Sequence, residues 1–118
     1  MLIDIHTHVF PEKIAAMTLE KLKAGIKNIQ QDKYIPHPCT DGTVNGLKDN
    51  MKRAGVDISF TMPIATKVKH FESINSFAKE IIGGNIISFG SVHPMQENIE
   101  DAVMLLKEKG FKGIKLHN

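Results

Sequence analysis

The sequence has no tryptophan, one tyrosine and one cysteine. A single cysteine cannot form an intrachain disulfide, which fits a reducing compartment, and a cytoplasmic protein is expected. Cys39 stands in the Pro-rich stretch Ile35-Pro36-His37-Pro38-Cys39 and reads as a loop thiol rather than a nucleophile paired with His37. Scarce aromatic rings leave few platforms for stacking bases. A dominant charge is lacking too: 15 basic and 13 acidic residues leave a formal net charge of +2, and the basic residues form no block. No nucleic-acid partner is expected from that distribution. No apolar run approaches the ~18 residues of a membrane span. The N-terminus lacks the basic start and apolar run of a signal peptide. No strand-like segment leads into a Gly-x-Gly-x-x-Gly turn or a P-loop, which weakens a phosphate-binding reading.

What is present is an ordinary globular composition, 42% hydrophobic and 24% charged over 118 residues, the size of one domain. Leu2 to Val9 is a short, β-branched run and reads as a first strand. Pro11 suits a helix's first turn. Ala15, Leu19, Leu22, Ile26 and Ile29 then follow at the spacing of one helical face. Residues 30–42 read as a loop, in which Lys33, Tyr34 and His37 are candidate substrate contacts. A second helix begins near Thr43, with Val44, Leu47, Met51 and Ala54 on its apolar face and Gly55 as its stop. Asp57 to Met62 reads as strand two, closed by Pro63. Phe71, Ile74, Ala78 and Ile81 mark a third helix, Asn85 to Val92 a third strand, and Ile99, Ala102, Val103 and Leu106 a fourth helix. Gly113 to His117 reads as the fourth strand.

Strands joined by helical crossovers pair in parallel. The expected fold class is therefore α/β, built of parallel β/α units. Four such units are half of an eight-stranded TIM barrel, which typically needs ~250 residues. The expectation is the first four strands of such a barrel, a half-barrel spanning 1–118 as a single unit.

Ligands of parallel α/β proteins bind at the carboxyl ends of the strands. Four of the six histidines fall at such ends: His6 and His8 on the first strand, His93 after the third, His117 on the fourth. His6-Thr7-His8 is the sharpest feature. Side chains at i and i+2 of a strand share a face, so both imidazoles can reach one divalent cation, at about 2.0–2.1 Å if it is zinc. Asp4 shares that face one step deeper. The plain alternative is two polar residues on a solvent-facing strand edge. By the same parity Gly113, Lys115 and His117 share a face of the fourth strand. The metal candidates are His6 and His8; Asp4, His93, Lys115 and His117 are candidate pocket residues.

Ile3-Asp4-Ile5-His6-Thr7-His8-Val9-Phe10-Pro11 resembles the opening of the amidohydrolase superfamily. It is most similar to the amidohydrolase-2 branch, which includes aminocarboxymuconate-semialdehyde decarboxylase. Leu47 to Pro63, around Ala54-Gly55-Val56-Asp57, resembles the second helix and strand of that branch; Phe89-Gly90-Ser91-Val92-His93-Pro94 resembles its third strand, and Gly110 to His117 its fourth. The resemblance covers essentially the whole chain. It implies the N-terminal half of a (β/α)8 metal-dependent hydrolase with a divalent metal, often zinc, held by His6 and His8.

The same resemblance places further histidine ligands after the fifth and sixth strands and an acid/base aspartate after the eighth. The catalytic residues are thus expected beyond Asn118. The implied reaction is hydrolysis of a C–N or C–O bond of a small molecule; non-oxidative decarboxylation of a small carboxylated ring compound is the alternative. Some branches carry a carboxylated lysine on strand four, so Lys115 is open to three readings: metal bridge, pocket contact or structural residue. A different class of reading is a catalytically inactive fragment, or a half-barrel that closes as a homodimer by pairing its first and fourth strands.

Overall fold

The computed structural model describes residues 1–30, 37, 38 and 40–116. In chain order the elements are β1 (Ile3–Thr7), α1 (Glu12–Gln30), α2 (Val44–Ala54), β2 (Ile58–Thr61), α3 (Phe71–Glu80), β3 (Ile86–Ser88), β4 (Gly90–Val92), α4 (Ile99–Glu108) and β5 (Ile114–Leu116). A single 3-10 turn, Val68–His70, leads into α3. The architecture is α/β, with parallel strands alternating with helices. Cys39, Lys33, Tyr34 and His117 lie outside the described residues.

The chain divides into two units, Val9–Gly55 and a second formed by Met1–His8 with Val56–Asn118. The first holds α1 and α2. The start of α2 is set by Thr43, whose extended backbone lets its hydroxyl accept the Gly46 N–H; the first-turn amides of a helix have no internal acceptor, so such a cap stabilises the end. Gly55 ends the helix in the left-handed conformation (φ 69°), its N–H returning to the Met51 carbonyl. A side chain with a Cβ resists that conformation, which is why glycine stands there. Leu47 and Met51, two of the four residues expected on the apolar face, are buried.

The second unit holds the strands. β1 pairs with β2, and β2 with β3, all parallel. β4 pairs in parallel with β5. Asn85 to Val92, expected as one strand, is two strands with a break at Phe89. Its first part hydrogen-bonds to β2 and its second to β5, because the neighbouring strands are staggered along it. The Phe89 N–H still bonds the Thr61 carbonyl at 3.1 Å, while the next amide, Gly90, turns to the Gly113 carbonyl at 2.9 Å.

Burial alternates along β2, with Ser59 and Thr61 buried and Ile58 and Phe60 half-buried, as a pleated strand between two environments requires. The apolar cluster of this unit comprises Phe71 and Ala78 of α3, Val92 of β4, Ala102 and Leu106 of α4, and Phe111 after it. Leu106 is fully buried, and removing a leucine side chain from water contributes about 1.5–3 kcal/mol. A buried polar clamp ties α3 to β4. The Asn75 amide donates to the carbonyls of Phe71 and Ser91 and accepts the Ser91 N–H at 2.7 Å. The Ser91 hydroxyl accepts the Ala65 N–H and donates to the Lys115 carbonyl, reaching the segment after β2 and the edge strand β5.

Candidate metal centre

His6 and His8 stand at the carboxyl end of β1, His8 one residue past it. Their Nε2 atoms are 3.1 Å apart and the rings meet edge to face. Strand alternation alone does not produce this convergence. The β1–β2 register runs Ile3↔Ile58, Asp4↔Ser59, then Thr7↔Thr61, so β1 carries one extra residue between Asp4 and Thr7. A bulge of this kind bends a strand and re-aims its side chains. The strand end is fastened to β2 on both sides of the bulge's exit. The Thr7 hydroxyl donates to the Phe60 carbonyl, and the Met62 N–H donates to the Thr7 carbonyl at 2.8 Å.

The second nitrogen of His8 determines its chemistry. Its Nδ1 lies 2.6 Å from the Met62 carbonyl oxygen. A carbonyl only accepts, so Nδ1 carries the proton and donates. In the neutral ring the Nε2 lone pair is then presented toward Nε2 of His6. Metal-binding histidines show this arrangement, one nitrogen on a backbone carbonyl and the other on the ion.

The spacing of the two Nε2 atoms also fits. Two nitrogens each about 2.05 Å from one ion and 3.1 Å apart subtend about 98°, between octahedral and tetrahedral angles. Both histidines are exposed, so a cation could approach from solvent. Among the described residues, however, no group of three or more His, Cys, Asp or Glu side chains is arranged to hold a metal. The centre is a two-donor set.

The remaining candidates are placed elsewhere. The Asp4 carboxylate accepts the N–H of His6, two residues further along its own strand, at 3.1 Å, and among the described residues it belongs to no three-donor group. His93 follows β4, and its Nδ1 accepts the Met95 N–H within the turn. Lys115 lies on β5, half-buried, with its carbonyl held by Ser91. His117 is outside the described residues. A surface hollow lined by Thr40, Asp41, Gly46, Asp49, Lys52 and Arg53 holds none of these candidates.

The Met62 carbonyl was not foreseen, because a backbone group leaves no mark in residue spacing. One signal could have found it: in a parallel pair, the residue after the end of β2 lies beside the residue after the end of β1. No family model, no curated protein and no solved structure matches this chain. No described helix is long and apolar enough to cross a membrane.

Proposed function

We propose that the chain is the N-terminal half of a metal-dependent hydrolase barrel of the amidohydrolase type. In this reading His6 and His8 hold a divalent ion, with zinc the first candidate. The observation that carries it is the pair of Nε2 atoms 3.1 Å apart, with the other His8 nitrogen on the Met62 carbonyl. When bound, such an ion acts as a Lewis acid, making water acidic enough to ionise near neutral pH and polarising a carbonyl oxygen.

The chain's own residues do the positioning. Met62 keeps His8 in the tautomer that leaves Nε2 free of hydrogen. Asp4 holds the His6 amide, and with it the bulge from which the ring projects. Thr7 ties the strand end to β2. The acid/base group of the hydrolysis is a residue outside these 118. The proposed substrate is a small molecule with a C–N or C–O bond to a carbonyl; decarboxylation of a carboxylated ring is the variant chemistry of the same centre.

A second reading is favoured by the donor count. Two imidazoles bind an ion more weakly than three or four donors do, and the 118 residues then bind metal without turnover. Zinc titration by calorimetry tests the shared premise. One ion per His6/His8 pair is expected, and binding is lost in H6A/H8A. Undiminished binding by that double variant would remove the metal centre. Assay of the zinc-loaded chain against small amides, esters and carboxylated aromatics then separates a hydrolase from a binding-only fragment.

A further inference from the structure

We propose that Asp4 is a positioning residue for the His6–His8 pair: through the His6 N–H, its carboxylate holds β1 in the bulged register that puts both imidazoles on the Phe60 face of the sheet. Residues paired across a parallel ladder point to the same side, and residues two apart along a strand share a face. Asp4 pairs with Ser59, and Thr7 with Thr61. Ser59 and Thr61 share one face of β2, so Asp4 and Thr7 share it too, although they are three residues apart. Ile86 and Ser88 of β3 continue that face, and Ser59, Thr61, Ile86 and Ser88 are all buried. His6 and His8 flank Thr7 and so lie on the opposite face, that of Phe60 and Ile87, which are half-buried.

The extra residue in β1 decides this placement. With Asp4 beside Ser59, a regular strand would set His6 beside Thr61, and both imidazoles would fall on the buried face. A shift of one residue sends every following side chain to the other side. The bulge makes that shift between Asp4 and Thr7. Both histidines are exposed, with their Nε2 atoms 3.1 Å apart. A bulge also takes a residue out of the ladder. The His6 N–H lies in this stretch and donates to Asp4 Oδ1 at 3.1 Å. Asp4 and His6 therefore stand on opposite faces although two apart in sequence, which reverses the expectation that they share one. The carboxylate acts on the imidazole pair through the backbone.

Asp4 is exposed, so its removal strands no buried group. What its carboxylate restricts is the choice of register at the strand end. Groups that orient metal ligands alter metal affinity by about ten- to a hundredfold. The consequence for zinc rests on the metal reading of His6 and His8; the effect on the metal-free pair does not. Accepting an N–H needs an oxygen rather than a charge, so asparagine can replace aspartate here and alanine cannot.

D4A and D4N, beside the wild-type chain, test this. In metal-free buffer, NMR is expected to show a contact between the His6 and His8 rings in the wild type and in D4N. D4A is expected to lose that contact and to exchange its His6 amide about tenfold faster or more, with an unchanged circular dichroism spectrum. Zinc calorimetry is expected to give an affinity about tenfold weaker or more in D4A, and within about threefold of wild type in D4N. A D4A chain that keeps the ring contact and the zinc affinity would overturn the proposal. Equal losses in D4A and D4N would do so too, by assigning the effect to charge. So would a D4A chain that no longer folds, since Asp4 would then be a structural residue. A wild-type chain that takes up no zinc, or takes it up as H6A/H8A does, would end the metal reading instead. The ring contact and the amide exchange then decide the role of Asp4 on their own.

Discussion

Nδ1 of His8 stands 2.6 Å from the Met62 carbonyl oxygen, and this bond joins the end of β1 to the residue just past β2. His8 therefore has two tasks, and His6 one. Replacing His8 by Ala removes a candidate metal donor and also a cross-strand anchor. Replacing His6 removes the other donor and its Nε2 contact with His8, but no anchor to β2. In metal-free buffer, H8A is expected to lower unfolding free energy by about 0.5–1.5 kcal/mol, the net worth of a typical hydrogen bond, and H6A by less. Both are expected to weaken zinc binding. Urea denaturation beside zinc titration reads the two effects separately, and equal stability losses for the two variants would contradict the assignment.

The clamp between Asn75 and Ser91 gives a larger effect. Asn75 is 1% exposed and satisfies the Ser91 N–H together with the carbonyls of Ser91 and Phe71. Asn75→Ala leaves the Ser91 N–H and carbonyl without that partner, away from water. Stranding buried donors and acceptors costs more than the bond's net worth, and a loss of about 2–4 kcal/mol is expected. A shift below about 0.5 kcal/mol in urea would mean that water takes over the amide's role.

The alternation of strands and helices was legible in the sequence because both ends of several elements carry chemical markers. Thr43 and Gly55 bracket α2 as read, one by its hydroxyl and the other by its left-handed backbone. The apolar spacing of Ala78, Ala102 and Leu106 placed these residues in the core they occupy. The break at Phe89 was not legible, since strand stagger is a property of two neighbours and not of the run itself. Nor was the bulge in β1, which makes the convergence of His6 and His8 depend on more than alternation. The Asn75–Ser91 clamp was missed for a related reason: a lone Asn on an otherwise apolar helix face gives no periodic signal.

Gly90 faces Leu106 so closely that a Cβ would lie 2.8 Å from its Cδ1. Leu106 is fully buried among Phe71, Ala78, Val92, Ala102 and Phe111, so it has little room to yield. Gly90→Ala is expected to cost about 1–3 kcal/mol by overpacking. Leu106→Ala costs about 2–5 kcal/mol by leaving a cavity. The double variant is expected to lose less than the sum, because the added methyl enters space that the leucine vacated. Strict additivity in a thermal or urea double-mutant cycle would show that the two positions do not share that space.

Asp41 sets the acid response of the α2 cap. Its Oδ1 accepts the Thr43 N–H at 2.8 Å and the Thr43 hydroxyl at 2.7 Å, and Thr43 in turn caps Gly46. The Thr43 backbone N–H, and after it the Thr43 hydroxyl, favour the charged carboxylate and hold its pKa below the ordinary 3.8. A carboxylate whose pKa is depressed on folding contributes stability above its unfolded value and loses it as pH falls through the folded value. The sensitive window therefore lies below about pH 4. An NMR titration of the Asp41 side chain is expected to give a midpoint under 3.8, moved upward in Thr43→Ala. Through the lost cap, Thr43→Ala is also expected to cost about 1 kcal/mol. Gly46 belongs to the same device, since a Cβ there would collide with the Asp41 carboxylate. Gly46→Ala should push that carboxylate off Thr43 and raise the midpoint as Thr43→Ala does. A midpoint that stays put in both variants would mean that Thr43 is not what holds the proton off Asp41.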